Sequence, residues 1–362
     1  MNTALLAELL RENRLSALVA GSVDNFAYFV GARLMTQALI PDRTAFVTVT
    51  EDGGMHATVC SVEVGHVTPT VSDVRTYTEF EDVPHRVLAK QLTDAGIRGR
   101  VGYERRWIPA HILDDLQEEL SGKVTFVPAD AVFDRLRAIK TPAEVAVLEK
   151  ATRATSAAIC ASFTPGHATE IDVAKDLIAG IMSGGASEVP FMVLSSGRRA
   201  LSGHPYPTTD PMRSGDAIRT DVGGRFGNYV SDLARTGVVG EAPAPLKKAY
   251  AALAEIHGEV LAAVRPGIPA NAVMEKTAQE YRRAGLPFSP HLAGHNLGIS
   301  AHEWPILSVF ETAALEPGMV LCIEHNHTTE AFKLHIENTG VLTETGLRLF
   351  SEDCAWKEPL QL

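Results

Sequence analysis

Residues 220–236 read TDVGGRFGNYVSDLART. Two aspartates, Asp221 and Asp232, stand eleven positions apart, with Gly223, Gly224 and Gly227 between them. Strand-forming residues interrupted by glycines read as a β-hairpin. Opposed positions in a hairpin have a constant sum, so a turn centred on Phe226-Gly227 sets Asp221 against Asp232. Opposed Cβ atoms lie about 4.5–5.5 Å apart, and like charges there are destabilising. A shared proton offsets the repulsion in part. A cation between the carboxylates offsets it more fully.

The pattern recurs at 319–346, MVLCIEHNHTTEAFKLHIENTGVLTETG, where Glu324 and Glu337 are symmetric about Glu330-Ala331. Val320, Leu321, Ile323, Leu334 and Ile336 mark these strands as buried, and unpaired buried carboxylates are very costly. Histidines accompany the acids: His291, His295 and His302 in HLAGHNLGISAHEWP, and His204 in SGHPYP. Taken singly, each acid reads as a solvated residue, Asp232 as a cap and His302 as a hydrogen-bonded core residue. Together they read as a cage for more than one cation. Oxygen donors with one imidazole suit Mn²⁺, Fe²⁺, Co²⁺ or Zn²⁺, and the absence of thiolate argues against a structural zinc. Cys322 shares the face of Glu324 and reads as a packed thiol.

Around these hairpins lies a chain of 362 residues, long enough for two domains. Its net charge of −11 gives no overall basic footprint for nucleic acid. No apolar run reaches the ~20 residues that span a bilayer. The N-terminus lacks a signal peptide's basic region, and Cys60, Cys160, Cys322 and Cys354 show no metal or redox spacing. The expected location is cytoplasmic.

The first third alternates elements. Helices are expected at 3–13, 84–95 and 109–120, and strands at 15–21, 43–50, 55–62, 100–104 and 123–129, as an α/β unit. Thr141-Pro142-Ala143-Glu144 is a strong helix start, with apolar residues at helical spacing behind it. The domains are therefore 1–136 and 137–362. The second opens with helices at 141–163 and 169–183. Hairpins follow at 190–240, then helices at 244–264 and 269–284, then strands from 319 to 350. Such blocks argue an α+β domain.

The order DVGG…SDLART, HLAGHNLG, IEHN, HIEN resembles the pita-bread metallopeptidases: methionine aminopeptidase, aminopeptidase P, prolidase and the creatinase-like proteins. LEPGMVL at 315–321 agrees. RLRAIKTPAEVAVLEKA at 135–151 and NFAYFVGA at 25–32 resemble the aminopeptidase P and prolidase branch, which carries a creatinase-like N-terminal domain. The resemblance implies a dinuclear site on Asp221, Asp232, His295, Glu324 and Glu337. The ions would be manganese first, with cobalt, iron or zinc as alternatives. It implies catalytic roles for His204 and His302 at the scissile carbonyl, and for Glu324 as proton shuttle. It places His291 beside the leaving-group pocket and makes the relatives' homodimer the expected assembly.

The implied activity is hydrolysis of short Xaa-Pro peptides by a metal-activated water, with no nucleic-acid or membrane partner. Two departures bear on substrate. His335 stands where that branch carries Arg, on the face of Glu337, as a substrate-side residue. Glu324-His325-Asn326-His327 replaces a Glu-Pro-Gly run. The alternative on the same scaffold is a small-molecule C–N hydrolase of creatine or ectoine type, or a sulfoniopropionate lyase. A binding module stripped of its ligands does not fit five filled ligand positions.

Overall fold

The helix starts announced by the sequence are built from side-chain caps. Thr141 Oγ1 accepts from the Glu144 amide while the Glu144 carboxylate accepts from the Thr141 amide, closing a capping box. Thr169 and Asp172 repeat the device one helix later. The computed structural model describes residues 1–67, 71–288, 290–351 and 356–362; Cys354 lies outside them. It divides into two units, Met1–Arg137 and Ala138–Leu362.

The first unit runs α1 (Thr3–Glu12), β1 (Ala17–Ala20), α2 (Val23–Val30), α3 (Met35–Leu39), β2 (Phe46–Thr50), β3 (Met55–Cys60), β4 (Asp73–Tyr77), α4 (Pro84–Asp94), β5 (Gly99–Tyr103), α5 (Ala110–Glu119), β6 (Val124–Pro128) and α6 (Asp130–Ala138). Its described strands form one mixed sheet, ordered β4-β3-β2-β1-β5-β6. Val19, Phe46, Leu88, Leu92 and Val101 fill a core between sheet and helices. This is the α/β arrangement expected. The helices α2, α3 and α6 and the strand β4 add to the elements the sequence predicts.

The second unit runs α7 (Pro142–Ser162), α8 (Glu170–Ser183), β7 (Glu188–Ser196), β8 (Ala217–Phe226), β9 (Tyr229–Val230), β10 (Leu233–Val238), α9 (Ala244–Ala263), α10 (Ala270–Ala284), β11 (Gly294–Asn296), β12 (Glu303–Ile306), β13 (Val320–Thr328), β14 (Lys333–Thr343), β15 (Gly346–Leu349) and β16 (Leu360–Gln361). One sheet is ordered β16-β10-β8-β7 with β9 on β8, and a second β12-β11-β13-β14-β15. The paired helices α7 and α8 bury Ile159, Leu177 and Ile181 against Leu194, Ile218 and Val222 of the first sheet. The second pair, α9 and α10, buries Leu253, Val260 and Val273 against Leu321, Ile323 and Leu334 of the second. Each sheet thus has one helical cover. No helix among the described residues is long and apolar enough to cross a membrane.

The second hairpin has the expected register, with Glu324 directly opposite Glu337. The first does not. Asp221 pairs with Ala234 and Phe226 with Tyr229, so the turn falls on Gly227-Asn228, one residue later than expected. Gly227 takes φ +61°, the left-handed conformation that this two-residue turn requires and that glycine adopts freely. The slip moves Asp232 diagonally from Asp221 instead of across from it. Because the shift is two residues, both carboxylates keep the same face.

Candidate metal centre

Three ties between hairpins explain why four acids from two sheets converge. The Thr236 hydroxyl accepts from the His335 amide at 2.7 Å and lies 3.0 Å from its carbonyl. Arg235 Nη1 donates to the Glu337 carbonyl at 2.5 Å. Thr339 Oγ1 donates to the Asp232 carbonyl at 2.6 Å. These side-chain bonds run between β10 and β14, so the acid face of one hairpin looks into the acid face of the other.

His295 stands at the focus. Its Nδ1 donates to the Asn296 carbonyl at 3.2 Å, which leaves Nε2 as a bare lone pair. That nitrogen lies 3.5 Å from Glu337 Oε1, 3.9 Å from Asp232 Oδ2 and 3.9 Å from Glu324 Oε1. Burial holds the imidazole's pKa below its ordinary value. A neutral nitrogen facing three carboxylates is repulsive unless a proton or cation lies between them. Asp232 Oδ1 and Glu337 Oε1 are buried with no hydrogen-bond partner among the described residues. Burial, then Glu337 and Asp221, raises the Asp232 pKa; burial, then Glu324 and Asp221, raises that of Glu337. Orphaned acceptors, a bare imidazole and displaced pKa values fit a divalent-metal site, as does the hard donor set.

Glu324 behaves differently. Burial pushes its carboxyl up, but His335, with His295 and His302, outweighs that and holds it well below the ordinary range. His335 Nε2 donates to Glu324 Oε2 at 3.1 Å, and its Nδ1 lies 3.9 Å from Asp221 Oδ2. The His335 imidazole therefore bonds one acid and lies near a second from the other hairpin, its Nδ1 buried with no hydrogen-bond partner among the described residues. His302 stacks on His295, ring centroids 3.9 Å apart and planes at 20°.

The loop that carries His302 is fixed from below. Glu303 accepts from the Ile299 and Ser300 amides at 2.9 and 3.2 Å and pairs with the buried Lys140 ammonium at 3.1 Å. Asn296, between His295 and that loop, accepts from the same ammonium at 2.7 Å.

A cavity of about 670 Å³ opens onto this centre. Asp221, Asp232, His295, Glu324, Glu337, His204, His291, His302 and His335 all line it, with Phe191 and Met192 as an apolar wall. His204 and His291 are exposed on it.

Two further residues flank the centre. The Cys322 thiol belongs to the same cluster: its sulfur, His295, Asp232 and Glu337 offer donor atoms within 4.8 Å of one another. It lies 3.3 Å from Thr339 Oγ1, and burial, then Glu337, keeps its pKa raised, so it stays a protonated thiol. His325 does not face the cavity, because strand alternation turns it away from Glu324 and under the helices. Thr277 Oγ1 donates to the Val273 carbonyl and so accepts from His325 Nε2 at 3.2 Å. His325 Nδ1 then accepts from His257 Nδ1 at 2.8 Å. Its place toward the cavity is taken by Asn326, which the sequence reading passed over along with Arg219 and Lys333. The alternation of two that links Asp221 to Arg219 and His335 to Lys333 was the signal available.

The sequence profile of the creatinase/prolidase N-terminal domain matches residues 3–139, and that of metallopeptidase family M24 matches 146–344. An uncharacterized peptidase of Bacillus subtilis is 33% identical over 280 residues, 74% of this chain and 78% of that one. An Xaa-Pro dipeptidase of Pyrococcus furiosus is 27% identical over 280 residues, 75% of this chain and 77% of that one. The crystal structure of a dipeptidase from Pyrococcus horikoshii superposes with a TM-score of 0.86 at 25% identity, covering all of both chains.

Proposed function

The chain belongs to metallopeptidase family M24, and from that premise we propose that it hydrolyses short Xaa-Pro peptides at a pair of divalent ions, manganese foremost. The single observation that carries the reading is the bare, buried Nε2 of His295 among carboxylate oxygens that have no other partner. Asp221, Asp232, His295, Glu324 and Glu337 would hold the ions. When bound, these supply Lewis acidity and lower the pKa of water.

The chain's own groups do the rest. Glu324, kept ionised by His335, accepts a proton from the attacking water and returns it to the leaving amine. His302, stacked on His295, and His204 steady the oxygen on which negative charge develops. His291 and His335 bind the substrate on either side of the centre. The apolar wall of Phe191 and Met192 suits a proline ring and excludes water. The name of the Pyrococcus furiosus relative supports the Xaa-Pro preference.

Residues 1–136 form the creatinase-like N-terminal domain and 137–362 the catalytic one. The assembly is a homodimer, and the site of action is the cytoplasm. The test is metal analysis of the purified protein followed by a panel of Xaa-Pro dipeptides with added Mn²⁺. Bound or restorable metal with cleavage of the panel is the expected result. Metal-dependent protein inactive on every peptide turns the reading to the small-molecule hydrolase or lyase on the same scaffold.

A further inference from the structure

One buried acid outside the metal centre does not serve its own helix. Glu170 is the first residue of α8, where an acid ordinarily faces the free amides of the first turn. Thr169 and Asp172 already close that turn with their capping box. Glu170, 0% exposed, reaches instead to the last residue of β7. Its Oε1 accepts from the Ser196 amide at 2.7 Å and from the Ser196 hydroxyl at 2.9 Å. Its Oε2 accepts from the Thr208 amide at 2.9 Å. Arg199 Nε lies 3.3 Å from Oε2 and pairs with the charge. One carboxylate thus fastens both ends of the segment 196–208. The Thr208 carbonyl is tied back to α8 by the Ile171 amide at 3.1 Å.

Between those ends stands His204-Pro205-Tyr206-Pro207. A proline fixes its own φ and presses the residue before it into extended backbone, so this tetrapeptide has little freedom of its own. The carbonyls that flank His204 are each held by a guanidinium. Arg219 Nη2 donates to that of Gly203, and Arg199 Nη2 to that of Tyr206 at 2.6 Å. Gly203, His204 and Tyr206 line the cavity, whereas Glu170 and Arg199 are not among its lining residues. The segment is therefore a stiff arm, and most of its anchors lead back to one carboxylate behind it.

We infer that Glu170 is a positioning residue: it never meets substrate, and it holds the arm that presents His204 to the reacting group. The task of His204 at the developing oxyanion rests on the peptidase reading, and the anchoring does not. Amide and guanidinium bonds to an ionised acceptor are about twice as strong as neutral ones, which suits a fixed mount.

The test uses manganese-loaded full-length protein. Glu170→Gln keeps one acceptor oxygen, so it can hold one end of the segment while its NH₂ group faces the donors of the other. Exchange mass spectrometry should show faster amide exchange in peptides covering 197–208, with β13 and β14 unchanged. Displacement of a reacting group by about 1 Å can cost 10²-fold, so kcat for Ala-Pro should fall ten- to about 100-fold, with KM moved by less than about two-fold. The deciding measurement is a double-mutant cycle. A residue that acts through His204 has nothing left to lose once that imidazole is gone. Adding Glu170→Gln to His204→Ala should therefore cost less than about two-fold, whereas general damage to the fold would multiply the two losses.

Unchanged exchange in 197–208, an unchanged kcat, or the full loss retained in the His204→Ala background each overturns the inference. Should Glu170→Gln fail to fold or to hold metal, Arg199→Met decides by the same cycle. That side chain is 37% exposed, and its loss cuts the tie to Tyr206 while leaving Ser196 and Thr208 on Glu170. A smaller loss of kcat, again absent without His204, is expected there, and a loss that persists without His204 overturns the inference. A protein that cleaves no peptide refutes the peptidase reading and leaves exchange to judge the arm: faster exchange in 197–208 upholds the anchoring, and unchanged exchange overturns it.

Discussion

Glu337 shows what a single residue costs and gains in this site. The residue is 2% exposed and its pKa is raised by burial, then by Glu324 and Asp221. A carboxyl whose folded pKa is raised contributes stability below the ordinary carboxylate range. It loses that contribution as pH rises through the higher folded value. In chelator-treated protein, Glu337→Gln removes the penalty. The variant's advantage in Tm over the wild type should therefore widen from pH 5 to pH 8. Metal must displace the same protons, so wild-type metal affinity should rise over that interval, with proton release visible as a buffer-dependent heat of binding. A stability gap that narrows toward pH 8 would show that Glu337 is ionised and paired without metal. His302 belongs to the same scale. If it steadies the developing oxyanion, His302→Ala should lower kcat about 10²- to 10³-fold while metal content by elemental analysis stays near that of the wild type. Loss of metal in step with loss of rate would recast His302 as a support for His295.

The elements decide where those residues meet. Gly223 lies where the bent first hairpin crosses itself: a Cβ there would sit 1.9 Å from the Ser231 carbonyl oxygen and 2.6 Å from the Phe191 ring. Backbone cannot yield as a flexible side chain does. Gly223→Ala should therefore cost at least the upper part of the ~1–3 kcal/mol typical of overpacking, and metal affinity should fall with stability. Gly65→Ala, whose Cβ meets nothing within 4 Å, is the control. Equal unfolding midpoints in urea for the two variants would defeat this account of the crossing. The same hairpin marks how far the sequence could be read. Hairpin symmetry gave the pairing of Glu324 with Glu337, but for Asp221 and Asp232 it gave only the shared face and not the pairing. The turn at Gly227-Asn228 was missed because three glycines in five positions offer several equivalent turns, and only the close approach of Ser231 to Gly223 chooses among them. The inward turn of His335 between Asp221 and Glu324, and the burial of His325 against His257, depend on strand crossings and helix covers far away in the chain. No local pattern encodes those contacts. Arg219 and Lys333 were legible by the same alternation, but a basic residue on a strand reads as solvated until its neighbours are known.

At the scale of the molecule, the chain has two units, each with its own apolar core. All five candidate metal ligands lie in 138–362. A ligand that binds only the folded state stabilises it by RT ln(1 + [L]/Kd), about 2.7 kcal/mol at a hundred-fold excess over Kd. That free energy reaches only the parts of the chain that unfold together with the site. Removal of metal should therefore speed amide hydrogen exchange in β8, β10, β11, β13 and β14, where the ligands and their ties reside. Amides of β1, β2 and β5, at the centre of the first unit's sheet, should keep their protection. Exchange mass spectrometry with and without chelator reads both sets in one sample. If protection falls equally in 1–137, the two units open as one cooperative body, and the metal centre sets the stability of the entire chain. If it falls only around the two acid hairpins, metal acts as a local clasp, cancelling repulsion that the protein's own fold concentrates at one point.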